Sequence, residues 1–301
     1  MTTTHPLAGI YAAAVTPLKR NYTIDIDVLP SYLSFLADRG CHGALLLGTT
    51  GEGPSFSTDE RTQLFKAAIR VRETHPDFRL LAGTGTPSLE ETIHLTKTAF
   101  NLGFNAAVVL PPYYFHQAPQ DGILRWFETL IRRAVPQDGY LLAYHFPAQS
   151  RVPIPWELNM RLKEAFPKQF AGLKDSSVGA EHAQQLSSVN NDMLILVGND
   201  RFLSTTIEAG AAGCITAMAN LFSPLLREIW DAHQCRERKQ AIQSKINQKR
   251  TILDRYKPFP PTIKAALARL HGFALWPVKP PLSPLSPQAK ERLITELTDP
   301  S

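Results

Sequence analysis

In the stretch Phe170-Ala-Gly-Leu-Lys-Asp-Ser-Ser177 a lone lysine closes a short apolar run and is followed at once by turn-forming polar residues. A lysine at the end of a buried strand loses hydration, which disfavours its ammonium form and takes its pKa from about 10.4 toward roughly 7–8. The free amine of Lys174 could then attack a carbonyl. The Schiff base so formed withdraws electrons from the carbon it holds, and a neighbouring C–C or C–O bond becomes breakable. Alone, the stretch fits equally a surface lysine that caps a strand with its stem along apolar neighbours.

Other residues could serve the same chemistry. Gly48-Thr49-Thr50-Gly51-Glu52-Gly53 sets two hydroxyls and several backbone N–H groups between glycines, a concave donor set that suits a carboxylate, although an ordinary glycine turn has the same composition. Tyr144 heads Tyr144-His145-Phe146-Pro147, and a phenol beside a Schiff base can pass protons in both directions. His145 should face away from Tyr144, because side chains alternate along a strand, and is read as structural. Pro111-Pro112-Tyr113-Tyr114 offers paired tyrosines of the kind used in packing and interfaces. The nine histidines show no H-x-H or H-E-x-x-H spacing, and Cys41, Cys214 and Cys235 form no C-x-x-C pair, so no metal site or disulfide framework is indicated.

Positioning these residues requires a scaffold, and eight short apolar runs alternate with longer segments of helical period. Strands are expected over residues 9–15, 43–47, 79–83, 106–110, 140–144, 170–173, 193–197 and 213–215, and helices over 27–38, 58–74, 88–102, 119–134, 155–165, 180–188, 201–209 and 224–233. Ser57 with Glu60 and Ser88 with Glu91 have capping-box spacing. Strict alternation requires a parallel sheet, and eight strands close into a TIM-type (β/α)8 barrel, here residues 1–233. An open doubly wound sheet is the competitor, but Gly83-Thr84-Gly85-Thr86-Pro87-Ser88 lacks the third glycine of a dinucleotide fingerprint. Residues 234–301 form a C-terminal helical extension with helices near 240–253, 261–271 and 287–298. Its Pro-rich link, 276–287, reads as an extended strap, with an SH3-type ligand the weaker alternative.

Composition excludes several classes. With 301 residues, 44% hydrophobic and 20% charged, the chain is ordinary globular protein. No run reaches the ~18 apolar residues that span a bilayer, and Met1-Thr2-Thr3-Thr4-His5 lacks signal-peptide character, so a cytoplasmic location is expected. Much of the +5 net charge sits between Arg236 and Lys257, where Ile242, Ile246 and Leu253 recur at near-helical spacing. That is a solvated helix face; nucleic-acid binding would want interleaved aromatics, of which only Tyr256 is present.

Together, Gly48-Thr49-Thr50-Gly51-Glu52, Tyr144 with Pro147, and Gly172-Leu173-Lys174-Asp175-Ser176 resemble the signature of the dihydrodipicolinate synthase / N-acetylneuraminate lyase family, the pyruvate-type class I aldolases. The resemblance runs from Gly9-Ile-Tyr-Ala-Ala-Ala-Val-Thr-Pro17 to Lys279-Pro-Pro-Leu282. It implies a barrel with a C-terminal helical extension, a homotetramer built as a dimer of dimers or a homodimer, and no metal or organic cofactor. By the same resemblance Lys174 is the Schiff-base lysine and Tyr144 the proton-shuttling tyrosine. Thr49 links Tyr144 to a second tyrosine, Tyr114, which reaches into the neighbouring subunit's site. Thr50, Gly51 and the adjacent amides hold the carboxylate of pyruvate or another 2-oxo acid, Ile215 presents its carbonyl, and Asn199 lies near the distal part of the substrate.

Two departures bear on the substrate. Synthases that condense pyruvate with aspartate semialdehyde usually carry an arginine five residues after the catalytic tyrosine, where this chain has Gln149, a much weaker anion contact. Arg151 lies two residues on, and His145 replaces the asparagine common after the tyrosine. The expectation is therefore aldol cleavage or dehydration of a 2-oxo acid with a hydroxylated tail, such as a 2-oxo-3-deoxy sugar acid or a 4-hydroxy-2-oxo acid. The alternatives are 4-hydroxy-tetrahydrodipicolinate synthase and, in another class, a pyruvate-binding protein without turnover.

Overall fold

Runs of four to six small and branched apolar residues, buried on both faces, satisfy their backbones only as a parallel sheet covered by helices. The computed structural model describes residues 5–177, 179–189, 192–232 and 235–299. Its strands β1 (Gly9–Ala13), β2 (Gly43–Leu46), β3 (Arg79–Gly83), β4 (Ala106–Val109), β5 (Tyr140–His145), β6 (Phe170–Asp175), β7 (Leu194–Val197) and β8 (Gly213–Thr216) close in sequence order into one parallel barrel. The strand β1 pairs with both β2 and β8, so no edge is left.

Around the barrel lie α1 (Leu29–Asp38), α2 (Thr58–Ala68), α3 (Leu89–Asn101), α4 (Gln120–Ala134), α5 (Pro147–Ser150), α6 (Trp156–Ala165), α7 (Glu181–Val189), α8 (Leu203–Glu208) and α9 (Ala219–Asp231). The extension comprises α10 (Arg236–Asp254), α11 (Phe259–His271) and α12 (Pro287–Thr298). The barrel interior is filled by Tyr11, Leu45, Leu81, Val108, Leu142, Leu196 and their neighbours; the larger apolar layer lies between strands and helices.

Several expected elements change shape. The single helix over 58–74 is α2 followed by a tighter turn, Ile69–Glu73. Ser57 and Glu60 form the full reciprocal box, whereas Ser88 accepts from the Glu91 N–H. The helix over 201–209 opens as a short 3-10 turn, Asp200–Phe202. Pro224, read as a helix start, sits inside α9, which begins at Ala219 and kinks where Phe222 leaves helical angles. The short α5 has no apolar period and was not expected. His233, the expected end of the eighth helix, and the boundary between residues 233 and 234 lie outside the described residues.

The strand β6 carries an irregularity that decides where its side chains point. Leu141 pairs with Phe170 but Leu142 pairs with Gly172, so Ala171 is an extra residue. Phe170 and Leu173 pack among the helices while Ala171 faces the barrel interior. The bulge thereby resets the alternation and turns Lys174 inward, where it pairs with Tyr144. Gly172 permits it: its φ is +150°, and a Cβ there would stand 2.2 Å from the Leu194 carbonyl oxygen.

Candidate active site

At the carboxyl ends of the strands a cavity of about 770 Å³ opens between the barrel and the extension. Lys174 and Tyr144 stand on paired positions of β6 and β5 and are 3% and 5% exposed. The lysine Nζ lies 3.8 Å from the centroid of the tyrosine ring. The amine is buried against the face of the phenol ring, where little water competes with a carbonyl for it. Phe146 also stacks on Tyr144, with ring centroids 5.8 Å apart. The Thr49 hydroxyl lies 3.3 Å from the Tyr144 hydroxyl, close enough for either to donate.

Thr49 and Thr50 follow β2 and both line the cavity, Thr50 buried and Thr49 exposed. Gly51 does not line it. Its carbonyl accepts the Thr16 hydroxyl at 2.7 Å, and a Cβ would meet the Ala14 carbonyl oxygen at 2.7 Å, so its part is close packing against the segment that follows β1. Ile215 on β8 and Asn199 after β7 line the cavity, and the Asn199 side chain accepts from the Arg201 N–H at 3.2 Å. Gln149, on α5, stands exposed at its lip, while Arg151, in the left-handed conformation that ends α5, is not among the lining residues. Tyr114 is 72% exposed, edge-on to an equally exposed Phe115, and is not brought to Tyr144 within one chain.

Sequence reasoning missed the residues that hold the threonine loop. Glu52, in the left-handed region at φ 58°, is buried and accepts from Lys264 Nζ at 2.5 Å and from the Lys279 N–H at 2.8 Å. Lys264 also donates to the Pro277 carbonyl at 2.6 Å, and Lys279 Nζ reaches Glu60 at 2.5 Å. Burial lowers the Lys264 pKa, and Glu52 opposes that. The clasp ties α11 and the strap to the loop bearing Thr49 and Thr50. Strap and loop were both singled out in the sequence, but a separation of 212 residues between Glu52 and Lys264 hid the pairing.

Behind Tyr144, on the outer face, His145 accepts the Ile154 N–H on Nδ1 at 3.0 Å and stacks on His182 at 4.3 Å; Asp175 lies 3.4 Å from His182. The three side chains are close enough to share an ion. Burial, then the proximity of His182, lowers the His145 pKa to about 4, with Asp175 opposing, so the ring is neutral at pH 7. With Nδ1 accepting, the proton sits on Nε2, and neither nitrogen is left to ligate a metal. In this arrangement His145 offers no free nitrogen to a metal, and its contacts are a backbone hydrogen bond and ring stacking.

A closed barrel with an amine, a phenol and hydroxyls converging at the carboxyl ends of its strands defines an aldolase-type (β/α)8 lyase. Residues 6–299 match the model of the Dihydrodipicolinate synthetase family, and the chain belongs to that family. It is 37% identical, over 92% of each chain, to an uncharacterized DapA-like lyase of Chloroflexus aurantiacus. The crystal structure of dihydrodipicolinate synthase from Agrobacterium tumefaciens is 28% identical, with 96% of this chain and 97% of that one covered and a TM-score of 0.86. YagE from E. coli K12, solved in complex with pyruvate, matches at TM-score 0.90 over 97% of each chain; at 23% identity the likeness is one of fold. Among the described residues no helix is long and apolar enough to cross a membrane.

Proposed function

We propose that the chain is a lyase that forms a Schiff base with pyruvate or another 2-oxo acid and cleaves or dehydrates a 2-oxo acid with a hydroxylated tail. The observation that carries this is Lys174, turned into the barrel by the β6 bulge and held 3.8 Å from the Tyr144 ring, whose hydroxyl lies 3.3 Å from that of Thr49. The substrate carboxylate docks on Thr49 and Thr50. Lys174 adds to C2 and Tyr144 passes the protons by which the adduct loses water; the C4 hydroxyl then gives up its proton, the C3–C4 bond breaks with its electron pair drawn into the iminium, and the tail departs as an aldehyde. The enamine left behind is protonated on carbon, and hydrolysis returns pyruvate and the free lysine. In a dehydration the same imine first loses a C3 proton, and the enamine so formed expels the C4 hydroxyl, protonated, as water. No metal is needed, because the iminium is itself the electron sink.

Borohydride reduction in the presence of pyruvate, read by intact mass and peptide mapping, should leave one adduct on Lys174. Lack of an adduct, or unchanged turnover in Lys174→Ala, would falsify the reading. A steady-state assay separates an enzyme from a silent pyruvate binder. The likeness to a dihydrodipicolinate synthase favours a second reading, condensation of pyruvate with aspartate semialdehyde; rapid turnover of the semialdehyde, and of no sugar acid, would select it. The same proposal takes residues 1–233 as the catalytic barrel of a cytoplasmic homotetramer or homodimer, in which the exposed Tyr114 reaches a neighbouring subunit's site.

A further inference from the structure

The outer half of the cavity is walled by charge. Arg201, after β7, and Arg250 and Lys257, from the extension, line it together with Asp254. Asp254 takes all three cations: Arg201 Nη2 at 3.0 Å, Arg250 Nε at 3.1 Å and Lys257 Nζ at 3.0 Å. Arg250 also pairs with the buried Asp200. Burial raises the Asp254 pKa, but Arg250, Lys257 and Arg201 outweigh it and hold the carboxyl below its ordinary value. Three permanent cations thus share two carboxylates.

These cations are not equally committed. The Arg250 side chain is 12% exposed and bonds both carboxylates, which anchors α10 to the turn after β7. Arg201 and Lys257 have side chains 31% and 60% exposed. Arg201 bonds Asp254 and Thr251 through Nη2, and among the described residues its Nε and Nη1 donors have no partner. Neutral hydroxyls would be served by the amides of Gln149 and Asn199 without a surplus cation. A surplus cation beside spare guanidinium donors in a concave wall is matched by an anion, which a guanidinium binds through two parallel hydrogen bonds.

The geometry points to a subsite for an anionic terminus on the substrate tail, a carboxylate or a phosphate, formed by Arg201 and Lys257 with Arg250 fixing their shared partner, Asp254. This inference rests on the proposed imine chemistry at Lys174 and adds the class of tail. The positive charge that Gln149 leaves out is supplied by Arg201 after β7 and by Lys257 beyond the end of α10, and not by Arg151, which does not line the cavity.

Half-saturation of the borohydride-trapped adduct tests it with two pairs of acids. One pair sets 2-oxoadipate against 2-oxohexanoate, and the other a 2-oxo-3-deoxy sugar acid 6-phosphate against its free alcohol; the first reports a carboxylate and the second a phosphate. In at least one pair the anionic member should saturate at about tenfold lower concentration, as a charge-assisted contact gives. That ratio should fall severalfold in Arg201→Met and in Lys257→Met, and in the unaltered protein as salt rises from 0.05 to 0.5 M, at about the screening expected of half-exposed charges. A pyruvate adduct with equal half-saturation in both pairs, or a preference untouched by salt and by both substitutions, overturns the subsite alone. No adduct with any acid overturns the imine chemistry and the subsite with it.

Discussion

Tyr144 is the residue whose proposed role the geometry supports most directly. It faces Lys174, is 5% exposed, and shares a hydroxyl contact with Thr49. Tyr144→Phe keeps the ring against Lys174 and the stacking on Phe146 but removes the proton. The expected outcome is a kcat lowered about 10²–10⁴-fold with a smaller change in KM, the usual size of a lost acid–base group. Steady-state kinetics on a cleaved or dehydrated 2-oxo acid check it, with the far-UV and melting behaviour of the variant unchanged. Thr50, buried at the cavity floor beside the exposed Thr49, should act on binding instead, so Thr50→Val should raise KM about tenfold and lower kcat less. Equal losses in kcat from both substitutions would mean that the phenol and the hydroxyl are not divided between proton transfer and carboxylate binding.

At the scale of elements, two devices aim the site: the bulge in β6 and the clasp on the loop after β2. Gly172→Ala places a Cβ 2.2 Å from a β7 carbonyl at a φ few other residues adopt. The strand must shift, at a cost of about 3 kcal/mol, and Lys174 should lose its inward aim. The variant should therefore melt lower and, even where folded, trap no pyruvate adduct. The clasp makes a different prediction. Lys264→Met strands the buried Glu52 carboxylate, which costs about 3–5 kcal/mol, whereas Lys264→Met with Glu52→Gln removes both charges and should recover part of the loss in a denaturant titration. If the double variant is as unstable as the sum of the single ones, the pair is not coupled. Neither device was legible in the chain. Strict alternation from Phe170 would have turned Lys174 outward with it, since an extra residue in a strand leaves no composition signal beyond one glycine. Glu52 read as part of a donor loop because its partners lie in the extension. The strands themselves were legible, for short apolar runs bounded by turn residues leave few other assignments.

Across the whole molecule, the order of runs and helical periods was enough to close the barrel, and three spaced motifs were enough to place the amine, phenol and threonines at one end of it. What the order could not give was how the extension folds back: α10 was read as a solvated face, and Ile242, Ile246 and Leu253 are indeed its buried stripe, but Arg250 is turned into the cavity wall. Long-range closure has a further consequence in acid. Three histidines accept a backbone N–H on Nδ1: His5 from Leu7 at 3.1 Å, His42 from Ile10 at 3.0 Å and His145 from Ile154 at 3.0 Å. Burial first, then nearby cations or a second histidine, lowers each pKa from 6.5 to about 4. Between those two values the unfolded chain binds more protons than the folded one, so stability rises with pH through this window and is lost as pH falls from about 6.5 to about 4. The buried His145 contributes on the order of 3 kcal/mol, and the half-buried His5 and His42 less, because water screens them. Melting temperature measured from pH 7 to pH 4 should fall steadily, and His145→Gln, whose amide oxygen can still accept the Ile154 N–H but cannot titrate, should flatten the slope. An unchanged slope in that variant would mean that the ring is not held neutral by its buried acceptor role, and the acid sensitivity would then belong to other histidines that burial keeps neutral, His5, His42 and His271.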